Sequence, residues 1–131
     1  MNPTFVWTPI VQLRLTNALS PITPLDHQTA ACEAISEHYL NRRRQAGVLV
    51  MPTGAGKTVV AVRWLLQNHV RGGGRVLWLT HRLTLERQAF STCRWLGNAA
   101  YPRETLNLIA ISAIDASWSM VNSGHDVVSA S

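Results

Sequence analysis

Residues Met51-Pro-Thr-Gly-Ala-Gly-Lys-Thr58 bring together the groups needed to hold a polyphosphate. Gly54 and Gly56 permit positive φ and let the backbone approach a bulky anion. Amides of a loop that opens a helix point at such an anion, and the helix dipole adds to the attraction. Lys57 is a flexible point charge able to reach β- and γ-phosphates, and the Thr58 hydroxyl is a ligand for Mg2+. Thr53, Gly54, Ala55, Gly56, Lys57 and Thr58 are therefore the candidate ATP-binding residues, with Lys57 and Thr58 in the catalytic roles. The general pattern G-x-x-x-x-G-K-[ST] has Met51 where the first glycine stands.

A loop of this kind must lie between a buried strand and a helix. Gly47-Val-Leu-Val-Met51 is a wholly apolar run that predicts a strand buried on both faces. From Lys57 a helical pattern continues to about Val70. Upstream, Ala30, Ala31, Ala34, Ile35 and Tyr39 predict one face of a helix from Asp26 to about Arg44, with Asp26 as N-cap and Gly47 as exit. Downstream, Gly72-Gly-Gly74 is a turn and Arg75–Thr80 a second buried strand. A third helix follows over 83–96, with Leu83, Leu85, Phe90 and Leu96 among its apolar positions. Leu106–Ile111 is a third strand, Ala113–Met120 a short helix, and a last strand starts near Asp126.

Residues 1–24 carry Pro3, Pro9, Pro21 and Pro24 around the partly alternating run Phe5–Leu15, an irregular or short-strand lead-in. Strands alternating with helices imply crossover connections. The expected fold is α/β: a P-loop NTPase of RecA-like type, its parallel sheet carrying helices on both faces. Residues 1–23 form the lead-in and 24–131 the nucleotide-binding domain.

Composition narrows the class. Of 131 residues, 47% are hydrophobic and 15% charged, which argues against disorder. No apolar run approaches the length of about 20 residues that a membrane span requires, and the N-terminus does not read as a leader. Two cysteines, Cys32 and Cys93, make no disulfide framework, so a reducing cytoplasm is expected. The net charge is +5, carried by eleven arginines and the single lysine Lys57. Such a balance suits a nucleic-acid partner; an arginine bias equally fits the codon usage of a GC-rich genome. The five tryptophans, at 7, 64, 78, 95 and 118, raise the question of base-stacking platforms, but Trp64 and Trp78 fall in patterned apolar segments and read as core.

The loop with Pro-Thr-Gly in its first half resembles motif I of superfamily-2 helicases and translocases, in particular restriction-enzyme motor subunits and the helicase domain at the N-terminus of UvrB. Pro24-Leu-Asp-His-Gln-Thr-Ala-Ala-Cys-Glu-Ala-Ile35 is similar to the family's helix before motif I, with Asp26 and His27 replacing the usual Arg and Tyr. The resemblance implies that Gln28 reads the adenine edge, a task its carboxamide suits by donating and accepting in one plane. Val76-Leu-Trp-Leu-Thr-His-Arg-Leu-Thr-Leu-Glu-Arg-Gln88 resembles motif Ia and implies contacts from Thr80 and Arg82 to a nucleic-acid backbone. Gly124–Ser131 resembles the strand entering motif Ib. ATP and Mg2+ are the implied cofactors. DNA, rather than RNA, is the implied partner, together with the remainder of a larger helicase chain or a restriction or repair complex.

The resemblance also implies an Asp-Glu pair for hydrolysis, and no Asp-Glu dipeptide occurs in the sequence. Asp115 is the best-placed lone carboxylate, though its place after an apolar run reads more naturally as a loop or helix cap than as a metal ligand. The expectation is thus a domain truncated before motif II, inactive alone. Two alternatives stay open: a small P-loop phosphotransferase, and a nucleotide-binding accessory module that does not hydrolyse.

Overall fold

A computed structural model describes residues 7–18, 23–52 and 54–131. Phe5, Pro21 and Thr53, which carry expectations from the sequence, lie outside the described residues. The described elements are β1 (Ile10–Arg14), α1 (Asp26–Ser36), α2 (Lys57–Leu65), β2 (Val76–Leu79), α3 (Leu83–Trp95), β3 (Thr105–Ile111) and β4 (Val127–Ala130). Single π-helical turns, Glu37–Asn41 and Leu66–Val70, extend α1 and α2.

The four strands form one sheet in the order β1-β3-β4-β2. β2, β4 and β3 run parallel, joined by crossovers as the alternating elements require. β1, from the lead-in, pairs antiparallel with β3, Ile10 opposite Ile109 and Arg14 opposite Thr105. The expectation of a wholly parallel sheet is corrected accordingly: the sheet is mixed. An edge strand entering from outside the crossover series is free to run in either direction.

β3 shows why the sheet is two-faced. Leu106, Leu108 and Ala110 point to one side, where they meet Val62, Leu66 and Val70 of the second helix and Phe90, Cys93 and Leu96 around the third. Ile109 and Ile111 point to the other, beside Val128, Ala130, Ala116 and Val121. At β3 and β4 that second face is covered from the segment 112–126, in which the expected helix over 113–120 shrinks to one 3-10 turn, Trp118–Met120, whereas Leu77 and Leu79 of β2, expected in a buried strand, stay exposed. Asp126 pins the start of β4. Its carboxylate accepts from Arg103 at 2.7 Å and from the Asn107 amide at 2.8 Å.

Two further expectations are corrected. Leu25, not Asp26, is the N-cap of α1, and Asp26 is the first helical residue. Ala30 and Ala34 are exposed, while Gln28, Ala31, Cys32 and Ile35 carry the inward contacts. The larger correction concerns Gly47–Met51, which forms no strand and is not buried: Val48 is 90% and Val50 86% exposed. A strand exists only where backbone donors and acceptors find a partner. β2 is the sheet edge on this side, and a cavity of about 660 Å3 lined by Gly47, Val48, Leu49, Arg75 and Val76 separates the two. The apolar run therefore has strand composition and no ladder to join.

Candidate phosphate-binding site

The glycine loop is built as its composition requires. Gly54 and Gly56 sit at φ +80° and +84°, in the left-handed region that costs a side-chain-bearing residue about 1–2 kcal/mol. The Ala55 amide donates to the Pro52 carbonyl at 3.1 Å, closing a turn. Gly56 is the N-cap of α2 and offers no side-chain cap. The helix thus begins with amides facing the loop, and Lys57, its first residue, is exposed beside them. Thr58 follows, half-buried. Thr53 lies outside the described residues.

α1 holds this loop from behind. Gln28 is buried, and its Oε1 accepts from the Leu25 amide at 3.1 Å while its Nε2 donates to the Ala55 carbonyl at 3.3 Å. His27 Nε2 lies 3.0 Å from the same carbonyl. The residue singled out from sequence for adenine thus touches the glycine loop itself. His27, noted from the sequence only as a departure from the family's helix, is a second brace, and its adjacency to Gln28 was the available signal. Further along, Trp64 Nε1 donates to Ser36 Oγ at 2.8 Å, locking α1 against α2.

Thr80 and Arg82 lie where β2 hands over to α3. The Thr80 amide donates to Ala130 at 2.9 Å, and its hydroxyl lies within reach of the Arg82 and Ala130 carbonyls. Its single proton is spent on backbone, so Thr80 fixes the strand end. Arg82 is the extended N-cap of α3, with an exposed side chain.

A buried polar cluster sits behind this edge. Asp115 accepts from Trp7 Nε1 at 2.9 Å, from Arg87 at 2.9 Å and from Ser112 Oγ at 3.1 Å. The Arg87 guanidinium also stacks 4.6 Å from the Trp7 ring centre. Burial pushes the Asp115 carboxyl up, but the Arg87, Trp7 and Ser112 hydrogen bonds and the Arg87 charge more than offset it and leave it below the ordinary range. With its oxygens engaged by three side chains, Asp115 is a loop anchor. Glu86 differs. It is fully buried, neither carboxylate oxygen has a partner among the described residues, and burial, reinforced by the Asp115 charge, raises its carboxyl to about 7. No pattern in the sequence separated Glu86 from an ordinary helical glutamate.

Among the described residues no group of three or more His, Cys, Asp or Glu is placed to hold a metal, and no described helix is long and apolar enough to cross a membrane. A family model described as type III restriction enzyme, res subunit, matches residues 21–113, a span that holds α1, the glycine loop, α2, β2, α3 and β3. No curated protein and no solved structure gives a significant match.

Proposed function

The chain belongs to the type III restriction enzyme res-subunit family, a helicase-like group with the P-loop NTPase fold, and on that premise we propose that it forms the ATP-binding part of a DNA helicase or translocase. The observation that carries this reading is the open N-terminus of α2: two glycines at positive φ, amides without a side-chain cap, and Lys57 exposed at the first helical position. Such a site accepts an anion without reorganisation. Lys57 would neutralise the β- and γ-phosphates, the Gly54–Gly56 backbone would cradle them, and Thr58 would supply a hydroxyl to Mg2+. Bound ATP supplies a phosphoanhydride whose hydrolysis drives the parent motor.

Gln28 reaches the loop from α1 and retains one amide hydrogen for a base edge, while His27 and Gln28 together hold Ala55 against the incoming phosphates. Arg82, exposed at the C-terminal edge of the sheet, would bind the sugar-phosphate backbone, with Thr80 keeping that strand end in place. A larger helicase chain or restriction complex would supply the acidic pair absent from this sequence. The 131-residue chain would therefore bind nucleotide without turning it over, as an accessory module would. A phosphotransferase is disfavoured because the Arg42–Arg44 run precedes the loop instead of forming a lid after it.

Titration with a fluorescent ATP analogue in Mg2+ checks the site. Lys57→Ala is expected to weaken binding about tenfold or more, in line with loss of one charge-assisted phosphate contact worth about 1.5–3 kcal/mol. Equal affinity of the variant and the parent chain would discard the assignment. Hydrolysis by the chain alone, abolished in the same variant, would show that a carboxylate placed here in a structural role activates water.

A further inference from the structure

A second cluster of cations and rings lies at the other end of the helices. α2 with its π-turn spans 14 residues and α3 spans 13, so their C-terminal ends stand about 20 Å from Lys57 and Arg82 at a rise of about 1.5 Å per residue. There a cavity of about 290 Å3 is lined by Arg63 and Gln67 of the second helix, by Arg71 just after it, and by Trp95, Asn98 and Tyr101 at the end of the third; Arg63 is buried and Arg71 is exposed. This volume is at the lower end of ligand pockets, about 300 Å3. No described residue lining it carries a negative charge.

The rings are what set this groove apart. Trp95 is 56% and Tyr101 42% exposed, although each has a large apolar face that burial would stabilise. Trp64 and Trp78, by contrast, are packed into the core as their segments predict. Isolated exposed aromatics need no explanation; two of them in one concavity with the exposed Arg71 do. An acidic peptide would engage Arg71 and leave both rings idle. A nucleobase carrying its phosphate uses both, through stacking on a ring and charge-assisted contact with a guanidinium.

We infer that this groove binds a nucleobase with its attached phosphate, the base stacking on Trp95 or Tyr101 and the phosphate meeting Arg71. It is independent of the phosphate loop. Two sources share that chemistry, a single nucleic-acid strand and a free nucleotide.

The test uses the whole chain with two probes, a fluorescein-labelled dT10 strand followed by anisotropy and unlabelled thymidine monophosphate as competitor. Trp95→Ala is expected to weaken dT10 binding about 5- to 100-fold, the range for loss of one base–aromatic stack. Trp95→Phe, which keeps a ring, is expected to restore most of it, and unchanged thermal melting of both variants confirms that they fold. Arg71→Ala is expected to lower the slope of log affinity against log salt by about 0.7, the value for one single-strand phosphate. Photo-crosslinking of a 5-iododeoxyuridine strand is expected to label the tryptic peptide Trp95–Arg103, which holds both rings. Competition by thymidine monophosphate that depends on Trp95 identifies a free nucleotide as a sufficient ligand; its absence, with Trp95-dependent dT10 binding, identifies the strand. Crosslinks confined to Val76–Arg82, dT10 binding indifferent to Trp95→Ala, or a poly-glutamate peptide displacing dT10 equally well in the parent and in Trp95→Ala overturns the inference.

Discussion

Gly56→Ala is expected to abolish nucleotide binding and to destabilise the fold by about 2–5 kcal/mol, whereas Gly54→Ala is expected to cost only about 1–2 kcal/mol. Both glycines sit at positive φ, so each substitution carries the left-handed strain of about 1–2 kcal/mol. They differ in what a new methyl group meets. At Gly54 nothing among the described residues beyond its chain neighbours lies within 4 Å, but at Gly56 a Cβ would fall on Gln28 Nε2. Gln28 is buried and holds Leu25 and Ala55 through both ends of its carboxamide. Displacing it leaves its own buried carboxamide unpaired, at about 1–3 kcal/mol, and releases the brace behind the loop. Urea unfolding gives the stability of each variant, and fluorescent nucleotide titration gives the binding. Equal stability losses at the two glycines would show that Gln28 does not brace the loop.

Stability should also depend on pH through Glu86. Its carboxyl is raised from an ordinary 4.5 to about 7. Between those values the folded protein keeps a proton that the unfolded chain has lost, so stability falls as pH rises through this window and levels off above it. A shift of this size corresponds to about 3 kcal/mol. Glu86→Gln keeps the shape of the neutral acid and cannot ionise. It is therefore expected to match the parent chain near pH 4.5 and to exceed it by about 3 kcal/mol at pH 8, in paired urea titrations. Asp115 works in the opposite direction: its lowered carboxyl contributes stability that is present above 3.8 and is lost as pH falls further. Identical pH profiles for parent and Glu86→Gln would mean that Glu86 finds a partner in solution.

Both expectations depend on contacts that sequence patterns do not carry. Gly54 and Gly56 were legible as residues needing left-handed backbone, because no other residue type adopts it cheaply. That only Gly56 is backed by a side chain follows from α1 docking against α2. Glu86 and Glu37 are both helical glutamates in the sequence, yet one is fully buried with no hydrogen-bond partner for its carboxylate among the described residues and the other is exposed and paired with Arg42. Burial belongs to the packed assembly of α3 on β3 and β4, not to the residue.

The amino-acid sequence by itself determined the positive-φ glycine loop, the α/β alternation, the helices on either side of that loop and the strands β2, β3 and β4. These depend on local φ preference, on periods of 3.6 and 2, and on turn residues, all of which act over a few neighbours. Only the tertiary structure decided which apolar runs became strands. Val76–Leu79 and Val127–Ala130 found partners, and Gly47–Met51, no less apolar, did not. Tertiary contact likewise turned β1 antiparallel, spent Gln28 on the loop, closed Asp115 within a ring of donors and left Trp95 in solvent. Hydrogen-bond partners and burial are properties of pairs far apart in sequence, and the fold alone brings those pairs together.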